Sequence, residues 1–327
     1  TEFLSIFPNS RRKDLALLAL GNSYQSAKNY GDAAVAYKMI LEKQLRSDVA
    51  VDALFQLGST LFSMGDKDSS SKVLNQFILA EPNHERSAQA AFLLATVAAD
   101  RGKAVEAVGW YDRIERMYFY TNLNQDLDLK RGETYYASGE YERAVTSFQK
   151  HLEALSQDYF RISEVPADLI YKLAFSQEKL GNRREAKRYY SEFLLREPAS
   201  DRTGTVYYAL AGIARAENKI DQATKYLQEA GRFAAFGSDD RVALETAELL
   251  FKNEQYTEAI PRFSEVAGKT KNDSLQQRLQ ARLIVCYMRL DNMKEADKRI
   301  AGFLKSSPIA SASMAEFEFE RGKYHLR

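Results

Sequence analysis

Small and large apolar residues alternate along this chain with a long, nearly constant step. Ala33, Ala107, Ala144, Ala186, Ala223, Ala259 and Ala296 share one phase, and Ser70 fills the single gap; successive spacings are 37, 37, 37, 42, 37, 36 and 37 residues. Four residues after each small residue stands a bulky apolar one: Tyr37, Leu74, Tyr111, Phe148, Tyr190, Leu227, Phe263 and Ile300. Thirteen residues before it stands a large–small pair, as in Leu20-Gly21, Leu57-Gly58, Leu94-Ala95, Leu173-Ala174 and Leu210-Ala211. Arg131-Gly132 and Thr246-Ala247 keep only the small member, and Leu283-Ile284 lacks it.

Around these landmarks apolar residues recur at three- and four-residue steps, as in Leu17-Leu20-Tyr24 and Ala33-Tyr37-Ile40, which is the period of a helix. Between the two halves of each unit sits a turn signal: Gly65, Gly102, Gly139 and Gly181, with Asn218, Glu254 and Asp291 in equivalent places. Glycine reaches the left-handed conformation without steric cost, so it ends one helix and lets the next begin. The pattern predicts a helical hairpin, its small residues facing across the pair and its bulky residue filling space against the following hairpin. A stack of such units needs no central core.

The strings LGNSYQSAKNYGDAAVAY from Leu20 and RGETYYASGEYERAVTSF from Arg131 resemble the tetratricopeptide repeat, and Pro82, Pro198 and Pro308 fall where that family places its terminal proline. The period is about three residues longer than the family's usual one, and the early Trp is missing throughout. The resemblance implies an all-α, right-handed α-solenoid of about eight helix-turn-helix units with a period near 37 residues. Residues 1–13 are read as the end of a preceding repeat (Phe3-Leu4 and Pro8), and 14–153 as units one to four. Residues 154–166 form a longer connection, 167–307 units five to eight, and 308–327 the first helix of a further repeat. The unpartnered ends suggest an excerpt of a longer repeat protein. Pro166 suits the first turn of a helix. Pro261 falls inside one, which predicts a later start or a local kink.

Charge is balanced, 46 basic against 45 acidic residues, so no nucleic-acid or membrane-surface footprint is expected. The longest apolar stretch, Ala90 to Ala99, is too short to span a bilayer. One cysteine, Cys286, excludes an internal disulfide and lies in an apolar helix. His84, His151 and His325 lack ligand spacing, so no metal is expected. Neither a phosphate-cradling glycine loop nor a nucleophile elbow occurs, and no cofactor or catalytic residue is assigned. The basic run Arg183, Arg184, Lys187 and Arg188 reads as a solvated helix face, and Asn272-Asp273-Ser274 as a chance glycosylation triplet.

In the resembled family the first helix of each unit lines a concave groove through its second, fifth, ninth and twelfth positions. Carried onto this chain, these are Leu18, Asn22 and Gln25; Phe55, Ser59 and Phe62; Phe92 and Thr96; and Glu133 and Tyr136. Asp168, Tyr171, Phe175 and Glu178 follow, then Tyr208 and Arg215, then Arg241, Glu248 and Phe251, then Val285 and Met288. Aromatic anchors with scattered charges suit a protein or extended peptide. The fifth positions Leu18, Phe55, Phe92, Leu129, Tyr171, Tyr208, Leu244 and Ala281 carry no basic residue, so the chaperone-type carboxylate clamp is absent. The expected function is a non-catalytic scaffold for protein–protein interaction within a multi-protein assembly. A second reading is the repeat segment of a bacterial envelope secretion or polysaccharide-export component, whose aromatic groove could hold a glycan. Its residue style resembles bacterial cell-envelope repeats, which implies periplasm or envelope rather than cytoplasm. A third is the regulatory arm of a larger enzyme.

Overall fold

The computed structural model describes residues 12–42, 48–156, 165–233 and 240–306, with Phe319 and Gly322. The expectations for Phe3, Leu4 and Pro8, for the connection across 157–164, and for Pro308 and most of 308–327 lie outside the described residues. Within the described residues there are sixteen α-helices, one 3-10 helix and no strand.

The chain divides into two compact units, Thr1–Gly181 and Asn182–Arg327. The first holds α1 (Lys13–Ser26), α2 (Tyr30–Leu41), α3 (Asp48–Ser63), α4 (Lys67–Ala80), α5 (Ser87–Asp100), α6 (Ala104–Met117), α7 (Leu127–Ser138), α8 (Tyr141–Ser156) and α9 (Ala167–Lys179). The 3-10 helix Asn122–Asp126 precedes α7. In the second unit lie α10 (Arg183–Arg196), α11 (Thr203–Ala216), α12 (Ile220–Ala230), α13 (Asp240–Lys252), α14 (Tyr256–Lys269), α15 (Asp273–Arg289) and α16 (Met293–Ser306). Helices pair as α1/α2, α3/α4, α5/α6 and α7/α8 in the first unit and as α11/α12, α13/α14 and α15/α16 in the second. Each pair then packs on its neighbour, which makes the fold an all-α solenoid.

The turn signals do what their chemistry requires. Gly65, Gly102, Gly139 and Gly181 have φ of +83°, +71°, +79° and +78°, and Asn218, Glu254 and Asp291 have +59°, +60° and +56°. Lys28, which the sequence pattern did not single out, occupies the same place in the first hairpin at +59°. The following N–H then reaches back to close the helix end, as Asp66 N–H does to Leu61 C=O at 3.0 Å and Gln255 N–H to Leu250 C=O at 2.9 Å. Two of the connections between hairpins share a second device. Ser87 donates its hydroxyl to the Glu81 carbonyl at 2.6 Å, and Thr203 donates to Glu197 at 3.0 Å, each clasping a Glu-Pro corner.

All eight small residues of the shared phase are fully buried, Ser70 included. Ser70 fits because its hydroxyl donates to the Gly58 carbonyl across the hairpin at 2.8 Å, which satisfies a buried polar group. The bulky partners, however, do not act only against the following hairpin. A Cβ on Gly21 would stand 2.5 Å from the Tyr37 ring, and one on Gly58 2.6 Å from Leu74 Cδ2. The bulky side chain therefore lies on the glycine of its own hairpin, and the large–small pair is the socket it fills. The second correction concerns α14, which starts at Tyr256 and runs on through Pro261, so the helix does not begin later. Apolar clusters stay local: one spans α1 to α3, another α3 to α7, and in the second unit three link α11 to α13, α13 to α15, and α15 to α16.

Candidate partner-binding clefts

The first helices of the hairpins carry the groove positions, and the structure sorts those positions into three kinds. Some are core. Phe55 is only 6% exposed, its ring 5.5 Å from Phe77 and beneath the Arg86 guanidinium at 5.3 Å. Met288 and Val285 are buried with Ala296 and Phe303. These three expectations are corrected: side chains from the next helices cover them, so they present no surface to a partner. Others are internal braces. The Tyr37 hydroxyl lies 2.8 Å from Asn22 Oδ1 and 2.9 Å from Gln25 Oε1, and Thr60 donates to Gln25 at 3.3 Å. Burial pushes the Tyr37 phenol up to about 12. Ser59, Phe62 and Glu178 are half-buried, and Arg241 is exposed.

The remaining positions gather into surfaces. In the first unit Phe92 and Thr96 on α5 and Glu133 on α7 line one cleft of about 340 Å³, floored by Tyr111 and flanked by Lys130 and Asp100. Glu133 receives Lys130 Nζ at 2.9 Å and Lys172 Nζ at 3.0 Å, and Lys172 also reaches Asp168 at 2.7 Å. This chain of charges crosses from α7 to α9. Burial works to raise the Glu133 carboxyl, but hydrogen bonds from the two lysines outweigh it and hold it below its ordinary value. For Lys172 burial pulls downward, and the bonds to Asp168 and Glu133 keep the ammonium raised. Beside it lies an aromatic cluster: Tyr136 and Phe175 are 5.7 Å apart edge-to-face, Tyr141 packs on both, and Tyr171 stacks on Phe175 at 6.4 Å. Lys179 Nζ sits 4.9 Å over the Phe175 ring.

In the second unit Tyr208 and Arg215 line a small recess with Gly212. Arg215, Glu248 and Phe251 line a larger cleft of about 430 Å³ with Glu245, Lys252 and Arg282. Arg215 pairs with Glu245, and Arg282 with Glu248 at 3.5 Å. The Phe251 ring stands edge-to-face against Tyr256 and Phe263, with the Arg282 guanidinium 4.6 Å above it.

Sequence reasoning missed Lys130, Lys172, Glu245, Lys252 and Arg282. The i,i+3 pair Lys130/Glu133 and the i,i+4 pair Asp168/Lys172 were legible signals for the first two. It gave no role to Arg131, which takes the apolar place of the large–small pair. Arg131 is buried and spends its guanidinium on Asp112 and Asp128 at 2.9 Å each and Glu115 at 2.5 Å. Asn272 caps α15 by accepting the Leu275 N–H at 3.0 Å, a structural use for the first residue of the triplet. Cys286 is buried, which pushes its thiol up to about 12. Among the described residues no cluster of His, Cys, Asp and Glu could hold a metal, and no helix is long and apolar enough to cross a membrane.

The tetratricopeptide-repeat family is matched by models over residues 55–118 and 168–200. No curated protein matches the chain. Among solved structures, a tetratricopeptide repeat protein from Parabacteroides merdae superposes with a TM-score of 0.50 at 13% identity, over 82% of this chain and 98% of that one. A MamA protein gives 0.47 at 20% identity over 58% of this chain and 94% of its own, and MamA from Desulfovibrio magneticus 0.47 at 14% over 58% and 97%. At such identities the likeness concerns the fold alone.

Proposed function

The chain is built of tetratricopeptide repeats, and from that premise we propose that it is a non-catalytic scaffold holding protein partners on its first-helix faces. One observation carries the reading: groove positions from neighbouring first helices share clefts, Phe92 and Thr96 with Glu133, and Arg215 with Glu248 and Phe251. Each cleft joins an aromatic side chain to several charged groups, most of them in ion pairs. Such a mixture gives a partner apolar contact area at low entropic cost, together with groups that set its register.

The aromatic cluster of Tyr136, Tyr141, Tyr171 and Phe175 extends the first-unit surface towards α9. Rings braced in this way lose little freedom when a partner covers them, which is why aromatic residues dominate binding energetics. The test is capture of partner proteins from an extract of the source cells by the immobilised chain. Tyr171→Ala in one unit and Arg215→Glu in the other are each expected to reduce capture while leaving the helical spectrum intact. Capture undiminished by both variants rejects the assignment of binding to these faces.

A further inference from the structure

The two clefts spend their charges differently. In the first unit every charged group on the cleft has its counter-ion in the chain: Lys130 and Lys172 flank Glu133, and Asp100 is held by Lys67 at 2.7 Å. In the second-unit cleft three cations meet two carboxylates. Arg215 takes Glu245 and Arg282 takes Glu248, which consumes both acids. Lys252 is exposed, lines the same cleft, and has no carboxylate partner among the described residues. Beside it lies the half-buried Phe251, whose ring already carries the Arg282 guanidinium at 4.6 Å.

We propose that this cleft takes a segment of a partner protein that presents a carboxylate next to an apolar side chain. The reading rests on the scaffold function above and names the chemistry of its partner. The carboxylate neutralises Lys252, and the apolar side chain covers the part of Phe251 that the protein leaves open. Two features favour an acid over a base here. A cationic segment would add a fourth positive charge to a concave, partly desolvated site, where like charges repel more strongly than in bulk water. The Arg215–Glu245 pair is also a weak hold, since the Arg215 side chain is 51% exposed. A pair that accessible is worth little, so Arg215 can turn to an incoming carboxylate at small cost.

The test uses the full chain and fluorescence anisotropy with three dye-labelled peptides of equal length. One is glutamate-rich with two leucines, one lysine-rich with the same leucines, and one glutamate-rich with serines replacing the leucines. The first is expected to bind, and the other two at least about tenfold more weakly. Its affinity should fall as salt rises. Lys252→Glu should weaken it by about tenfold, and Lys252→Arg should hold it within about twofold of the parent. Lys225→Glu, on the exposed face of α12 and in neither cleft, should leave it unchanged. Equal binding of acidic and basic peptides, or affinity indifferent to Lys252→Glu, overturns the proposal. A preference for the basic peptide that Phe251→Leu diminishes also overturns it, yet leaves the scaffold reading standing. That reading falls only to the capture result with Tyr171→Ala and Arg215→Glu.

Discussion

Gly21 and Gly109 both lie inside helices, yet replacing each by alanine is expected to move stability in opposite directions. At Gly109 nothing lies within 4 Å of the added Cβ, so only the backbone responds. Losing the conformational freedom of glycine in a helix stabilises by about 0.5–1 kcal/mol. At Gly21 the same gain meets the ring of Tyr37, with Cε1 at 2.5 Å and Cδ1 and Cζ at 2.9 Å. Carbon atoms pack comfortably at about 3.5–4.0 Å, so the ring or the helix must give by about 1 Å. Neither has room. Tyr37 is fully buried, and Asn22 and Gln25 hold its hydroxyl. Overpacking of this kind costs about 1–3 kcal/mol, so Gly21→Ala should lose about 0.5–2 kcal/mol net. Urea titration followed by far-ultraviolet circular dichroism compares the two variants within one compact unit. A midpoint raised by Gly21→Ala as it is by Gly109→Ala would refute the account of glycine as a socket.

Two further outcomes test other parts of the structure. The folded Glu133 carboxyl is held below its ordinary 4.5, so the unfolded chain binds that proton more tightly. Its stabilisation is therefore present above about pH 4.5 and lost as pH falls through the lower folded value. Glu133→Gln should accordingly destabilise at neutral pH, and its deficit against the parent should shrink as pH falls below 4.5 in thermal melts at stepped pH. Glu254 holds a left-handed backbone at φ +60°. A side chain there costs about 1–2 kcal/mol, and glycine's own entropy returns about 0.5–1 of it, so Glu254→Gly should raise stability by about 0.5–1 kcal/mol. A lowered melting temperature would contradict that balance.

The parts of the fold legible in the sequence are those decided by short-range sterics. A left-handed turn selects glycine, Asn or Asp in most of the hairpins, though Lys28 and Glu254 also hold it, and a helix crossing selects Ala or Ser at Ala33, Ser70, Ala107 and their successors. Each leaves a mark at a fixed offset. The site was only partly legible because exposure depends on what the next hairpin brings over a given position. Phe55 and Phe92 share a register, yet Phe77 and Arg86 close over the first while the second opens onto a cleft. Met288 sits at the same register as Phe251 within its helix pattern, but α16 shields it. Arg131 shows the opposite failure. Its charge disguised a core position, because Asp128 one turn away and Asp112 and Glu115 on the preceding helix converge to satisfy it.

The interior of each hairpin has a bearing on how this protein can be measured. Ala33, Ala107, Ala144, Ala223, Ala259 and Ala296 all lie at zero exposure in equivalent places. One enlarged side chain introduced at each site in turn therefore delivers nearly the same insult to successive stretches of the polypeptide. The differences among such variants read out how firmly each neighbourhood is clamped by those beside it. The chain thus carries its own row of strain gauges, and a partner that stiffens one stretch would register as a change at the gauges beneath it.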